Sequence, residues 1–435
     1  MSDAPSPDIG ASARVLVVLG CLAIAAGVLI GFIGGAFRWL LLHADAVRVH
    51  LSEWAHTVPA GWIAVVLFGA LGAMVAALLV KLSPESSGSG IQDVEAVYRG
   101  QLASPPLSVV PVRFAGGLAS IGSGMVLGRE GPTVHMGAAL GAGVGRIAKL
   151  DADDERILQT AMSGAGLAVA FNAPVGGALF VLEEVTKSAS FRLLVPTVLG
   201  VATAIACARL VIGDHPDFLV RDVPNPPLYT LPMVLVFGVI LGLIGAVYNA
   251  LIVGLVELDA KLSRIPVTVR AGVVGALIGL ALFIDPLSVG GGDALTQLIL
   301  TGQAFAVPLL LLYLLIRFVA GPLSYSVGTP GGLFAPLLAI GALLGSIFGQ
   351  AVLLMAPDLG REFVVAMALV GMSTMFGAVV RAPLTGVVLI IEMTAITTVT
   401  VPMLLAAGAA VVTAMLVKSP PIYDSLREIL LRTRS

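Results

Sequence analysis

Hydrophobic positions in this chain run in long blocks and do not alternate. Residues 15–37, 54–80, 223–256, 318–357 and 393–417 contain no Asp, Glu, Lys or Arg. A helix needs about 20 apolar residues to cross a bilayer, and every block reaches that length. Strands of a membrane barrel would show short alternating segments instead. The pattern predicts an all-α polytopic membrane protein. Its polar punctuation suggests boundaries: a cytoplasmic N-terminal tail (1–14), a first membrane repeat (15–212), a linker rich in Asp and Pro (213–228), a second repeat (229–417) and a short cytoplasmic C-terminal segment (418–435). In the tail, Asp3 and Asp8 precede Arg14, unlike the basic start of a cleavable signal. The charged run 149–156 reads as an interfacial loop.

Glycine and proline break many of the blocks, with 51 and 26 occurrences. In lipid a broken helix is tolerated only where the freed backbone faces protein or a watery cavity. The breaks therefore point inward, toward a site. They also repeat. Gly128-Arg129-Glu130-Gly131-Pro132 precedes a small-residue run, as does Gly332-Leu333-Phe334-Ala335-Pro336. Further on, Asn172-Ala173-Pro174 leads through an apolar run to Glu183, and Arg381-Ala382-Pro383 leads likewise to Glu392. Two features recurring in one order at nearly one offset predict two homologous halves. Such repeats commonly bind substrate between them near the midplane.

Glu130 is the first candidate residue. A carboxylate between two glycines, deep in an apolar region, is costly unless it has a role or a partner. Pro132 suits the first turn of a helix, whose N–H groups and dipole favour an anion. A glutamate at such a point can put its own carboxylate where the anion would sit, and can leave when protonated. It would then serve as gate and proton carrier together. A salt bridge to Arg129 is the bland alternative, but adjacent helical residues do not face each other. Ser89, in Gly88-Ser89-Gly90-Ile91, offers a hydroxyl at a helix start, where a plain N-cap is the competing reading. Leu333 and Phe334 offer backbone N–H groups at a second glycine-flanked helix start. Tyr423 follows the last span, where tyrosines usually belong to the interfacial belt. Neutral donors suit turnover, since a full positive charge would hold an anion too tightly.

These three segments, in this order, resemble the signature segments of the CLC chloride family, and the likeness runs from the first span to Tyr423. It implies an inverted-repeat fold with broken, re-entrant helices, a homodimer, and one anion pathway in each subunit. Glu130 is then similar to the family's external gating glutamate. Ser89 and Tyr423 correspond to its hydroxyl donors, and Leu333 and Phe334 to its backbone N–H donors. Serine at position 89 goes with chloride preference in the family. Gln92 departs from the family's proline and Asp93 from its glutamate, which alters the local helix start.

Glu183 and Glu184 end the apolar run from Pro174. The repeat pairs Glu183 with Glu392 but Glu184 with Met393, so the second acid is peculiar to the first half and suggests a task. The resemblance makes Glu184 the internal proton-transfer glutamate of antiporters, feeding protons to Glu130. The function expected is proton-coupled chloride antiport in the inner (plasma) membrane. A passive voltage- or proton-gated chloride channel, or an exchanger for nitrate or fluoride, is the alternative.

Composition narrows the remaining classes. The chain is 58% hydrophobic and 11% charged, with mean hydropathy +1.03. A soluble domain carries about 25% charged residues. The net charge of -2 offers no basic surface for nucleic acid. Cys21 and Cys207 both sit in apolar runs and read as small core residues. The five histidines have no metal-ligand spacing, and no metal or other cofactor is expected. An intramembrane protease would need a Ser–His, paired-Asp or metal constellation. No such set is evident, so no enzyme activity is expected.

Overall fold

The computed structural model describes residues 9–220 and 223–434. The first half runs α1 (Ile9–Ala55), α2 (Trp62–Val80), α3 (Ile91–Tyr98), α4 (Val109–Gly122), α5 (Glu130–Ile147), α6 (Ala152–Phe171), α7 (Pro174–Phe180) and α8 (Phe191–Ile212). The second runs α9 (Leu231–Lys261), α10 (Val267–Ile284), α11 (Asp293–Leu300), α12 (Val307–Ser326), α13 (Phe334–Met355), α14 (Glu362–Val380), α15 (Pro383–Thr394) and α16 (Thr400–Leu416). A last helix, α17 (Ile422–Arg434), carries Tyr423. Among the described residues, 8 helices are long and apolar enough to cross a membrane.

Corresponding pairs pack alike: α1 on α8 and α9 on α16, α5 on α6 and α13 on α14, α2 with α10 between halves. Glycine sets the closest of these crossings. A Cβ on Gly141 would lie 2.8 Å from Leu158 O on α6, and one on Gly349 would lie 2.9 Å from Val364 Cα on α14. Small residues allow helix backbones to approach in lipid, where no hydrophobic force drives them together. The run 202–208 of α8, small except for Ile205, follows the same logic. Ala204 and Ala208 are fully buried, with Ala204 and Cys207 facing Gly31 of α1.

The halves are inverted. The turn after α7 is held to α17 by Lys187 Nζ donating to Asp424 at 2.9 Å. The end of α15 instead meets the linker, where Phe218 N donates to Met393 O at 2.9 Å. These two points lie at opposite ends of α8, whose 22 residues span about 33 Å.

Helix boundaries depart from the charge-free blocks in several places. α1 begins at Ile9, inside the expected tail, while positions 1–8 of that tail lie outside the described residues. Block 54–80 joins the end of α1 to α2, block 318–357 crosses a break at 327–333, and block 393–417 crosses one at 395–399. The break at 327–333 is largely buried and needs no charge, and the other two turn on uncharged residues, so charge-free length marks none of them. Of the charged run 149–156, only the first part is loop. Asp151 caps α6 by accepting from Asp154 N at 2.8 Å.

Candidate anion and proton site

The break before α5 and the break before α13 meet as two short extended segments. Gly128 N donates to Gly332 O at 2.8 Å, and Gly332 N donates to Gly128 O at 2.7 Å. This joint brings the two predicted helix starts together. Phe334 N, at the head of α13, donates to Glu130 Oε1 at 2.6 Å. The Glu130 carboxylate thus occupies an anion position at the N-terminus of the other half's helix, where free N–H groups and the dipole favour negative charge. Glu130 is fully buried, and its Oε2 has no hydrogen-bond partner. Arg129 turns away from it: Nη2 donates to Asp217 at 2.8 Å and Nε to Ala170 O at 2.8 Å. The adjacent-residue salt bridge is absent here.

Ser89 does not cap α3. Gly90 takes that position with φ 85, and no side chain caps the helix. A side chain there would be strained and would crowd Arg113 Nη2 and the His135 ring. The Ser89 hydroxyl is left free and buried. Tyr423 is also fully buried, away from any interfacial belt. The Ser89 and Tyr423 hydroxyls lie within interaction range of each other, with Glu130 and Glu184 in electrostatic reach. Neither hydroxyl completes a geometrically sound hydrogen bond. Gly131 lets its backbone pass close to Ser89: a Cβ there would stand 2.9 Å from Ser89 Oγ and 3.0 Å from Gly332 Cα. Leu333 is buried as the residue preceding α13. The structure therefore brings Ser89, Glu130, Leu333, Phe334 and Tyr423 to one place.

Glu184 stands apart from that cluster, on a π-helical turn (Val181–Val185) that ends α7. Such turns are frequent at functional sites. Glu184 is fully buried, and neither carboxylate oxygen has a partner. It faces Glu95 of α3, also fully buried, and Glu95 Oε2 accepts from Arg427 Nη1 at 2.5 Å. Asp424 joins the group through Arg427 at 2.8 Å and Lys187 at 2.9 Å. Burial alone would raise the Asp424 pKa, but Lys187 and Arg427 outweigh it and hold the carboxyl below its ordinary range. Glu183 has a different task. Its oxygens accept from Leu384 N at 3.0 Å and Thr385 N at 2.6 Å, capping α15. Glu392 returns the favour at Val175 N (3.0 Å) and Gly176 N (2.7 Å) on α7.

Several supporting residues escaped the sequence reading. Arg113, fully buried, donates to the carbonyls of Gly88, Ser89 (3.0 Å) and Ser87 (3.1 Å), so its charge secures the Ser89 loop. Tyr325 accepts from Ser89 N at 3.4 Å. At the altered helix start, Gln92 lies beside Tyr325 and Asp93 accepts from Arg434 of α17 at 3.0 Å. The ring of Phe334 is boxed by Phe376 at 4.6 Å, Tyr423 at 5.7 Å and Phe180 at 5.9 Å. Arg113 was in principle findable, as a lone cation in an apolar run. Tyr325 and the aromatic box carry no local signal.

Known proteins resemble the chain throughout its length. The family described as "Voltage gated chloride channel" matches residues 71–415. An H(+)/Cl(-) exchange transporter, ClcA, of Cronobacter sakazakii is 36% identical over 415 residues, covering 93% of this chain and 88% of that protein. ClcA of Vibrio parahaemolyticus is 36% identical over 417 residues, again covering 93% and 88%. Among solved structures, a slow cyanobacterial Cl-/H+ antiporter aligns with TM-score 0.89 and 29% identity, covering 96% of this chain and 98% of that one.

Proposed function

The chain belongs to the CLC family of voltage-gated chloride channel proteins, and from that premise and the site we propose that it carries out proton-coupled chloride antiport. The observation that carries this reading is a set of buried, partnerless oxygens: Ser89 Oγ, Tyr423 OH and Glu130 Oε2. Each unsatisfied buried polar group costs about 1–3 kcal/mol, so the arrangement favours a bound species that accepts from the two hydroxyls. A dehydrated chloride fits them. Glu130 competes for the neighbouring position at Phe334 N–H. Once protonated it no longer needs that donor, and an anion can replace it. Anion movement and protonation then become alternatives at one place, which is the basis of exchange.

Glu184 gives protons a separate way in. It opens toward Glu95, Lys187 and Asp424, whereas anions pass Ser89 and Tyr423, and the two routes share the stretch at Glu130. Retention of a buried acid at 184 favours exchange over a passive channel. The hydroxyl at Ser89 favours chloride over nitrate. Arg99 and Lys187 pair with Asp424 beside Tyr423, and by the positive-inside rule we take that face as cytoplasmic. We assign the protein to the inner (plasma) membrane.

A second copy of the chain fits the face formed by α7 and α15, where Glu183 and Glu392 sit beside the exposed side chains of Val175 and Leu384. Carboxylates facing lipid are expensive, and a partner subunit would cover them. A mass of two chains in mild detergent supports the homodimer, and a mass of one removes it.

The function is tested in proteoliposomes carrying an outward chloride gradient and no proton gradient. Protons should be driven uphill into the vesicles as chloride leaves. Chloride efflux without proton movement would make the protein a channel.

A further inference from the structure

Asp217 lies on the linker between the halves, yet its side chain is only 3% exposed. One carboxylate oxygen accepts from Arg38 Nη2 at 2.6 Å, and the other accepts from Arg129 Nη2 at 2.8 Å. Arg38 comes from α1 and also donates to Val169 O at 2.9 Å. Arg129 immediately precedes Glu130. The linker is fixed where it delivers this acid. Asn172 Nδ2 donates to His215 O at 2.8 Å, and Gln297 exchanges two hydrogen bonds with the backbone of Leu219 at 3.0 and 2.7 Å. The first half and the second therefore hold Asp217 in place together.

The charge count gives this contact a consequence. Arg38, buried, and Arg129, 12% exposed, share one buried carboxylate, with Asp293 3.7 Å from Arg129 and more open to solvent. Asp45 is already paired with Arg48 at 2.9 Å, and the other acid whose charge reaches Arg129 is the gate itself, Glu130. The triad sits on the face opposite Tyr423 and next to the gate. An anion entering or leaving at Glu130 from that side meets its field. We propose that Asp217 is a positioning residue that sets the positive potential at the outer mouth, and with it the affinity for chloride approaching from outside. This rests on the reading of Glu130 as the outer gate. Conduction requires binding strong enough to admit an ion and weak enough to release it. Asp217 tempers two arginines that would otherwise hold the anion.

The exchange of chloride for protons in opposite directions moves net charge, so it is read as current across a planar bilayer with each side perfused separately. Asp217→Asn should lower the half-saturating chloride concentration on the outer side by roughly two- to tenfold, the range for one charge at intermediate dielectric, and reduce the maximal current. The inner-side value should stay native. Asp214→Asn is the control. It removes the same charge from the same linker, but at a pair with Arg209 (2.8 Å) whose carboxylate is 72% exposed, and should change neither value. Adding Arg38→Gln to Asp217→Asn should bring the outer value back toward native. If Asp217→Asn fails to assemble, Arg38→Gln alone carries the test and should raise the outer value. Equal shifts on both sides, equal shifts in Asp217→Asn and Asp214→Asn, or no return in the double variant would overturn the proposal. Failure of the gate reading shows separately, as proton coupling that survives Glu130→Gln.

Discussion

Glu130 and Glu184 are both buried carboxylates, yet their surroundings ask different things of them. Glu130 accepts from a backbone N–H at a helix start, Phe334 N at 2.6 Å. Glu184 accepts from nothing and faces another acid, Glu95, whose partner Arg427 is shared with Asp424. Glu184→Gln keeps the shape and removes the proton site. It should leave chloride flux within a few-fold of native and abolish chloride-driven proton uptake. Proton uptake at the native rate would remove Glu184 from the route. At this scale the sequence was informative where chemistry is local. Glycines around a membrane glutamate, and a serine at a break, announce themselves. Glu95, Tyr325 and the rings around Phe334 do not. Tyr325 reaches Ser89 across 236 positions, and nothing in its own neighbourhood marks it.

The helices show a second use of the same principle. Glu183 and Glu392 each cap the broken helix of the opposite half, so α7 and α15 are locked reciprocally. Their matching positions were visible in the repeat, but the sequence could not tell a cap from an interfacial acid, because the capped groups are backbone N–H groups about 200 residues away. Glu183→Ala removes two backbone caps and the Thr385 hydroxyl bond at 2.7 Å. It should destabilise the protein by about 1–3 kcal/mol, read as a lower melting temperature in detergent. An unchanged melting temperature would show that α15 needs no cap from α7. Helix ends were harder to read than helix existence. Gly61 closes a tight turn against Ala55 that divides one charge-free block. The breaks at 327–333 and 395–399 are as free of charge as the spans beside them.

Across the whole molecule the site belongs to neither half alone. The first half supplies Ser89 and Glu130, the second supplies Leu333 and Phe334, and α17 adds Tyr423. The Gly128–Gly332 joint is what makes these parts meet. The repeat foretold two helix starts, and the resemblance added their inversion, but neither contained the joint itself. The account's central claim is that the Glu130 carboxylate stands in an anion's place at Phe334 N–H. The most direct test is anomalous scattering from crystals grown in bromide, native against Glu130→Ala. The account predicts a bromide between the Ser89 and Tyr423 hydroxyls in both, and an additional bromide within hydrogen-bond distance of Phe334 N only in the variant. No added peak at Phe334 in the variant, or a bromide already there beside an unmoved Glu130 in the native protein, would contradict it.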